Sequence, residues 1–125
     1  MDVLEHLMQE HRTAEELMAR LESTEPGRQR DQLVGELSQA LAKHMAVEEQ
    51  FLYPIVAQVL GAEPETEAEV EHNLAREGLR NLVEMRDKPG FGAALDMVRA
   101  GIAHHVEEEE HEIFPEQPHV GRLLL

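Results

Sequence analysis

Twice in this chain a histidine and the glutamate four residues after it both fall in the middle of an apolar helical stripe, as His44–Glu48 and His105–Glu109. Four residues is little more than one helical turn, so the members of each pair share a face. The first stripe reads Leu33, Leu37, Leu41, His44, Glu48, Phe51 and Ile55, the second Phe91, Leu95, Val98, Ile102, His105, Glu109 and Ile113. A carboxylate buried without a partner costs several kcal/mol. A chain with two of them can fold this way only if something at the centre compensates both charges. No segment alternates with period two, so no strands are expected.

Two further amphipathic segments share the oddity. One stripe is Leu4, Leu7, His11, Ala14, Met18 and Leu21; the other is Ala68, His72, Ala75, Leu79, Leu82 and Met85. Helix 1 is expected from Asp2, where Glu5 completes a capping box, to Glu22, with a turn over residues 23–27. Helix 2 runs from about Pro26 toward Leu60, bent or broken at Pro54. Residues 61–64 form the next connection, and Thr66 caps helix 3, which runs to about Arg86. Residues 87–90, Asp-Lys-Pro-Gly, are a strong turn, and helix 4 follows from Phe91 to Phe114. Four such helices on short links predict an all-α, antiparallel up-down-up-down four-helix bundle, and residues 1–125 read as a single domain.

The chain also repeats itself. Residues 7–21 align without gaps on 68–82, and residues 41–54 on 102–115, both at a spacing of 61 (11 to 72, 44 to 105, 48 to 109). Identities are sparse but fall on the unusual core residues. The two helical hairpins are therefore expected to be related by a pseudo-twofold axis, each supplying half of a central polar cluster.

Composition narrows what that cluster can be. The net charge is −15, from 26 acidic and 11 basic residues, which speaks against nucleic acid and anionic membrane surfaces as partners. Aromatics are 3%, too few for base-stacking platforms. With no cysteine, disulfides and thiolate metal sites are excluded. The first twenty residues are too charged for a signal peptide, so a cytoplasmic protein is expected. Eight histidines and a carboxylate surplus remain. Cations would keep the two glutamates ionised and the histidines neutral. The candidate metal ligands are His11, His44, Glu48, His72, His105 and Glu109. The glutamates would bridge two metals, with two terminal histidines on each and open positions left over. Nitrogen and oxygen donors without sulfur favour iron, with zinc or manganese as possible substitutes, over calcium and magnesium.

The other polar residues read more plainly. His104 lies about 100° off the stripe, and His6, His111 and His119 do not recur at the repeat spacing, so all four are expected in solvent. Residues 107–110 are mostly a solvated face, with Glu108 the candidate to support a ligand. Tyr53 is expected in the core, its hydroxyl available to a bound oxygen species. Gly101, mid-helix one turn before His105, either permits close packing or makes room beside the metals. The leucines of residues 120–125 need a surface to cover, either the bundle end or a second copy in a homo-oligomer.

These residues resemble the hemerythrin-like, HHE cation-binding family. The matching pieces are Glu10-His11-Arg12, His44 to Glu49 with Tyr53-Pro54, Glu71-His72, and His105 to Glu109 with Phe114-Pro115. The resemblance covers nearly the whole chain. It implies a four-helix bundle around an oxo- or hydroxo-bridged di-iron centre, with reversible dioxygen binding or sensing of oxygen, nitric oxide, iron or redox stress. Oxygen-carrying members place a second histidine one turn after the one in helix 3, where this chain has Arg76. They also use His-x-x-x-x-Asp where this chain has His105-x-x-x-Glu109. The missing fifth histidine argues against oxygen transport and for a more open iron. The expected function is a non-haem di-iron protein that binds or senses O2, NO or peroxide. The alternatives are a di-iron redox enzyme (peroxide- or NO-consuming, or a ferroxidase) and a zinc-bound or metal-free interaction bundle.

Overall fold

The computed structural model describes residues 3–116. Five α-helices follow in order: α1 Val3–Glu22, α2 Arg28–Val47, α3 Tyr53–Leu60, α4 Ala62–Glu84 and α5 Phe91–Glu108. Between α2 and α3 the helix does not stop but widens into a π-turn over Glu48–Leu52. A second π-turn, Glu109–Ile113, follows α5 and leads into a 3-10 turn, Phe114–Glu116. Helices α2 and α3 are thus one rod, and the four rods pack as the expected antiparallel bundle, with no strand among the described residues.

Where a bend or break was expected at Pro54, the helix runs on through a widened turn. Proline lacks an N–H, and its ring crowds the carbonyl four residues back. Just ahead of Pro54 the Tyr53 N–H reaches five residues back to the Glu48 carbonyl. Just ahead of Pro115 the Phe114 N–H reaches the Glu109 carbonyl in the same way. The extra residue in each turn shifts the stripe beyond it. Phe51, expected in the core, is 53% exposed, and Ile55 is half-buried; Leu52 and Val56 are buried in their place, beside Tyr53, which is buried as expected.

Two connections also differ from expectation. Helix α2 starts at Arg28 because Gly27, at φ 151°, cannot continue a helix. Gly61 alone, at φ 89°, joins α3 to α4. Pro64 therefore lies in the first turn of α4, where a missing N–H leaves no helical bond unmade. Thr66 is no cap: its hydroxyl donates to the Ala62 carbonyl one turn back, at 2.9 Å. Helix α4 ends at Glu84, short of Arg86. The Asp2 cap, His119 and the terminal leucines lie outside the described residues.

The core falls into two apolar clusters. The larger includes Leu17, Leu21, Leu37, Leu82, Phe91 and Val98; the smaller includes Val3, Leu7, Leu52, Val56, Ala68 and Phe114. In every rod the unusual polar residues fall between stretches belonging to one cluster and to the other. Arg30 closes the far end. Its buried guanidinium sits 4.0 Å over the Phe91 ring and donates to the Thr24 hydroxyl (3.1 Å), the Thr24 carbonyl and the Arg86 carbonyl (2.9 Å). No described helix is long and apolar enough to cross a membrane.

Candidate metal centre

The structure brings all six expected residues into the layer between the two apolar clusters. His11, His44, His72 and His105 are at most 9% exposed, and Glu48 and Glu109 are wholly buried. The imidazoles meet in pairs, His11 Nε2 to His44 Nε2 at 3.1 Å and His72 Nε2 to His105 Nε2 at 3.2 Å. Each glutamate reaches both pairs. Glu48 Oε1 lies 2.9 Å from His72 Nε2, and its Oε2 lies 3.0 Å from His44 Nε2. Glu109 Oε1 lies 3.0 Å from His11 Nε2, and its Oε2 lies 3.2 Å from His105 Nε2. His11, His44, Glu48 and Glu109 present ligand atoms within 4.8 Å of one another, as do Glu48, His72 and His105.

A second ring of carboxylates fixes the histidines. Nδ1 of His11 bonds Glu110 (2.7 Å), that of His44 bonds Glu10 (2.9 Å), that of His72 bonds Glu49 (2.7 Å) and that of His105 bonds Glu71 (2.7 Å). A carboxylate accepts, so each Nδ1 carries the hydrogen, and a neutral ring then turns a bare Nε2 lone pair inward. Arg12 donates to Glu110, and Arg76 donates to Glu49 at 2.7 Å. Arg76 therefore points away from the centre to an outer carboxylate. Sequence reading missed this ring, since Glu10, Glu49, Glu71 and Glu110 look like solvated neighbours of the six central residues. Their signal was there: Glu10 recurs at Glu71 and Glu49 at Glu110, at the repeat spacing of 61. Glu108 lies 3.0 Å from His104, which is exposed as expected, and its carboxylate also stands with Glu71 and His105 in a group whose ligand atoms are within 4.8 Å of one another.

Inward-facing lone pairs at 3.1–3.2 Å repel unless something positive sits among them. A proton can take that place as well as a metal cation can. Burial works against charge on His44, but the carboxylates of Glu10, Glu109 and Glu48 outweigh it and push its pKa up to about 12. Burial opposes charge on His105 too, and Glu109 with Glu48 pushes its pKa up to about 11. Glu109 resists its own burial through hydrogen bonds with Glu48, His105, His11 and His44, which hold it well below the usual carboxylate range. One atom stays unserved: Glu48 Oε2 is buried and receives no hydrogen bond, lying beside His44 Nε2 but off any N–H direction. An orphaned carboxylate oxygen next to paired imidazoles is the donor set a divalent cation fits.

Tyr53 belongs to this site as well. It is 3% exposed, and its hydroxyl donates to Glu109 Oε2 (2.7 Å) and Glu48 Oε1 (3.1 Å). The same oxygen lies 3.2 Å from Nε2 of both His72 and His105. Burial and then the carboxylates of Glu109 and Glu48 raise its pKa, so it remains a phenol. At the matching place of the other half is Phe114, stacked on His11 with ring centroids 6.1 Å apart.

A largely enclosed cavity of about 30 Å³ touches all four imidazoles and is otherwise walled mainly by Ala14, Leu41, Ala75, Gly101 and Ile102. No curated protein and no solved structure matches the chain. A family model does match, over residues 2–116: with its duplicated His-x-x-x-Glu pairs brought to one buried cluster, the chain belongs to the hemerythrin HHE cation-binding domain family.

Proposed function

We propose that this protein holds two iron ions and uses them to bind or sense dioxygen or a related small oxidant such as nitric oxide or peroxide. In this reading His11 and His44 hold one ion, His72 and His105 the other, and Glu48 and Glu109 span both. The observation that carries it is the pairing of bare imidazole nitrogens with two carboxylates that each reach both pairs. Nitrogen-rich, sulfur-free donors suit iron, and the four imidazoles leave coordination positions open. Bound iron would supply affinity for a small oxidant and a route for electrons to it. The chain's own part is to set the ligands and the access. The outer carboxylates hold the rings in one tautomer, and the apolar clusters keep bulk water out. A cavity of about 30 Å³ exceeds the roughly 15 Å³ that one water needs, so it admits a water or a diatomic and little more.

The test is metal content and spectrum. Protein purified without added metal should contain two irons per chain, and the ferrous form should gain a near-ultraviolet or visible band on exposure to oxygen. Zinc in place of iron, or under a tenth of an equivalent of any metal, would instead favour a structural bundle. An iron-loaded protein that stays colourless in oxygen, nitric oxide and peroxide would leave cation binding standing and remove the oxidant.

A further inference from the structure

Glycine in mid-helix is less stable than alanine, so Gly101, one turn before His105 in α5, needs a reason. Neither usual reason applies. Its backbone is helical; among the described residues only Gly27 and Gly61 take positive φ. Nor does another helix press on it, since a Cβ built at Gly101 meets no atom within 4 Å. Gly78 shows the contrast, with a Cβ there only 3.2 Å from Val98. What Gly101 does border is the cavity against the four imidazoles. Of the residues lining that cavity, Gly101 alone is exposed; every other is half-buried or buried. At the matching place of the first half, Ala40 is half-buried against the larger apolar cluster. The part of this cavity's wall that meets solvent is therefore the part where α5 has no side chain.

We propose that Gly101 is the port through which a diatomic ligand reaches the His72–His105 end of the centre. The inference rests on reading the centre as a small-oxidant site and adds the route and its size limit. A port is a barrier on the path and not part of the bound state. Narrowing it slows arrival and departure alike and leaves equilibrium affinity unchanged.

Gly101→Ala and Gly101→Leu test this, with Gly35→Leu as the control. Gly35 is also exposed in mid-helix with open space at its Cβ, but it does not line the cavity. In the ferrous-loaded protein, stopped-flow absorbance should show nitric oxide associating and dissociating about tenfold more slowly, or slower still, in Gly101→Leu. Gly101→Ala should fall between it and the wild type, and Gly35→Leu should match the wild type, with Kd constant throughout. A second readout needs no metal. Tyr53 is the chain's one tyrosine, there is no tryptophan, and the phenol lies 3.2 Å from His72 and His105. Dioxygen quenching of its fluorescence in metal-free protein should weaken in Gly101→Leu and hold in Gly35→Leu. Equal rates and equal quenching in all variants would overturn the port, as would lost affinity without slower association. A wild type that takes up no iron would defeat the small-oxidant reading instead, and the quenching comparison would still decide the port. Should the leucine variant melt below the wild type, the methyl of Gly101→Ala carries the comparison.

Discussion

At the repeat spacing, Glu10, His11, His44, Glu48 and Glu49 of the first hairpin answer to Glu71, His72, His105, Glu109 and Glu110 of the second. Just outside the centre the halves part. Tyr53 answers to Phe114, Ala40 to Gly101, and Lys43, Val47 and Phe51 answer to His104, Glu108 and Glu112. The residues that face the centre are alike in the two halves, so each half turns the same donors toward it. Those around it were free to diverge, and their divergence makes the two ends chemically unlike. The His72–His105 end has the Tyr53 phenol beside it where the His11–His44 end has the Phe114 ring, and Gly101 lines the cavity whereas Ala40 packs into the larger apolar cluster.

The harshest way to break the symmetry is through the shared carboxylates. Glu48→Ala or Glu109→Ala should cost both metals at once, because each glutamate reaches both imidazole pairs. His11→Ala and His72→Ala should each cost chiefly one. Elemental analysis separates the two patterns; loss of a single metal from Glu48→Ala would contradict the spanning role. Stripping the metal with a chelator should lower the melting temperature by about 10 °C or more, as expected when a tightly bound ligand leaves a domain of this size. An unchanged melt would mean that protons balance the cluster as well as cations do.

The outer ring offers a gentler comparison. Glu10→Gln and Glu71→Gln should each weaken metal binding about 10- to 100-fold, and by similar factors, if the halves are equal in this respect. Competition with a chelator of known affinity measures both. A large difference between them would show that the ends are already unequal at the ligands.

Protons and metals should oppose each other across pH. In the metal-free protein His44 and His105 have pKa values raised to about 12 and about 11. A raised pKa contributes stability that is fully present below the unfolded value of about 6.5. That contribution is lost as pH climbs through the folded values, so the urea midpoint of chelated protein should fall from pH 6 to pH 10. Metal affinity should move the other way, because binding must displace the same protons. A metal affinity that fell with rising pH over that range would contradict the assignment. The smallest effect is expected at Tyr53. Tyr53→Phe makes the halves alike at that place, at a cost of about 1 kcal/mol for the lost hydrogen bonds. It should change the spectrum of the His72–His105 metal while leaving metal content intact. Phe114→Tyr should perturb the His11–His44 metal instead.

The bundle and the six central residues were legible because each broke an apolar pattern at a position where its copy broke it too. The outer carboxylates broke no pattern: Glu10 adjoins His11 and Glu49 adjoins Glu48 in sequence, and both fall on the polar side of the stripe. Only the duplication marks them. Tyr53 was harder to place, since five residues at uniform α pitch would turn it about 140° away from Glu48. The π-turn, whose cause lies in the proline that follows, brings it back. Thr66 misled for a different reason, because a hydroxyl that bonds back to Ala62 inside a helix looks in sequence like one that starts a helix.

The wide turns also have a genetic consequence. Losing one codon from most of a packed helix swings everything beyond it through about 100° and drags its apolar face into water. Within Glu48–Leu52, and again within Glu109–Ile113, the chain holds one residue more than an α turn requires. A single deletion there takes up the slack and leaves both apolar faces in line. Each of these two rods thus has one place, at the edge of the buried polar layer, where evolution can change the length of the protein without dismantling it.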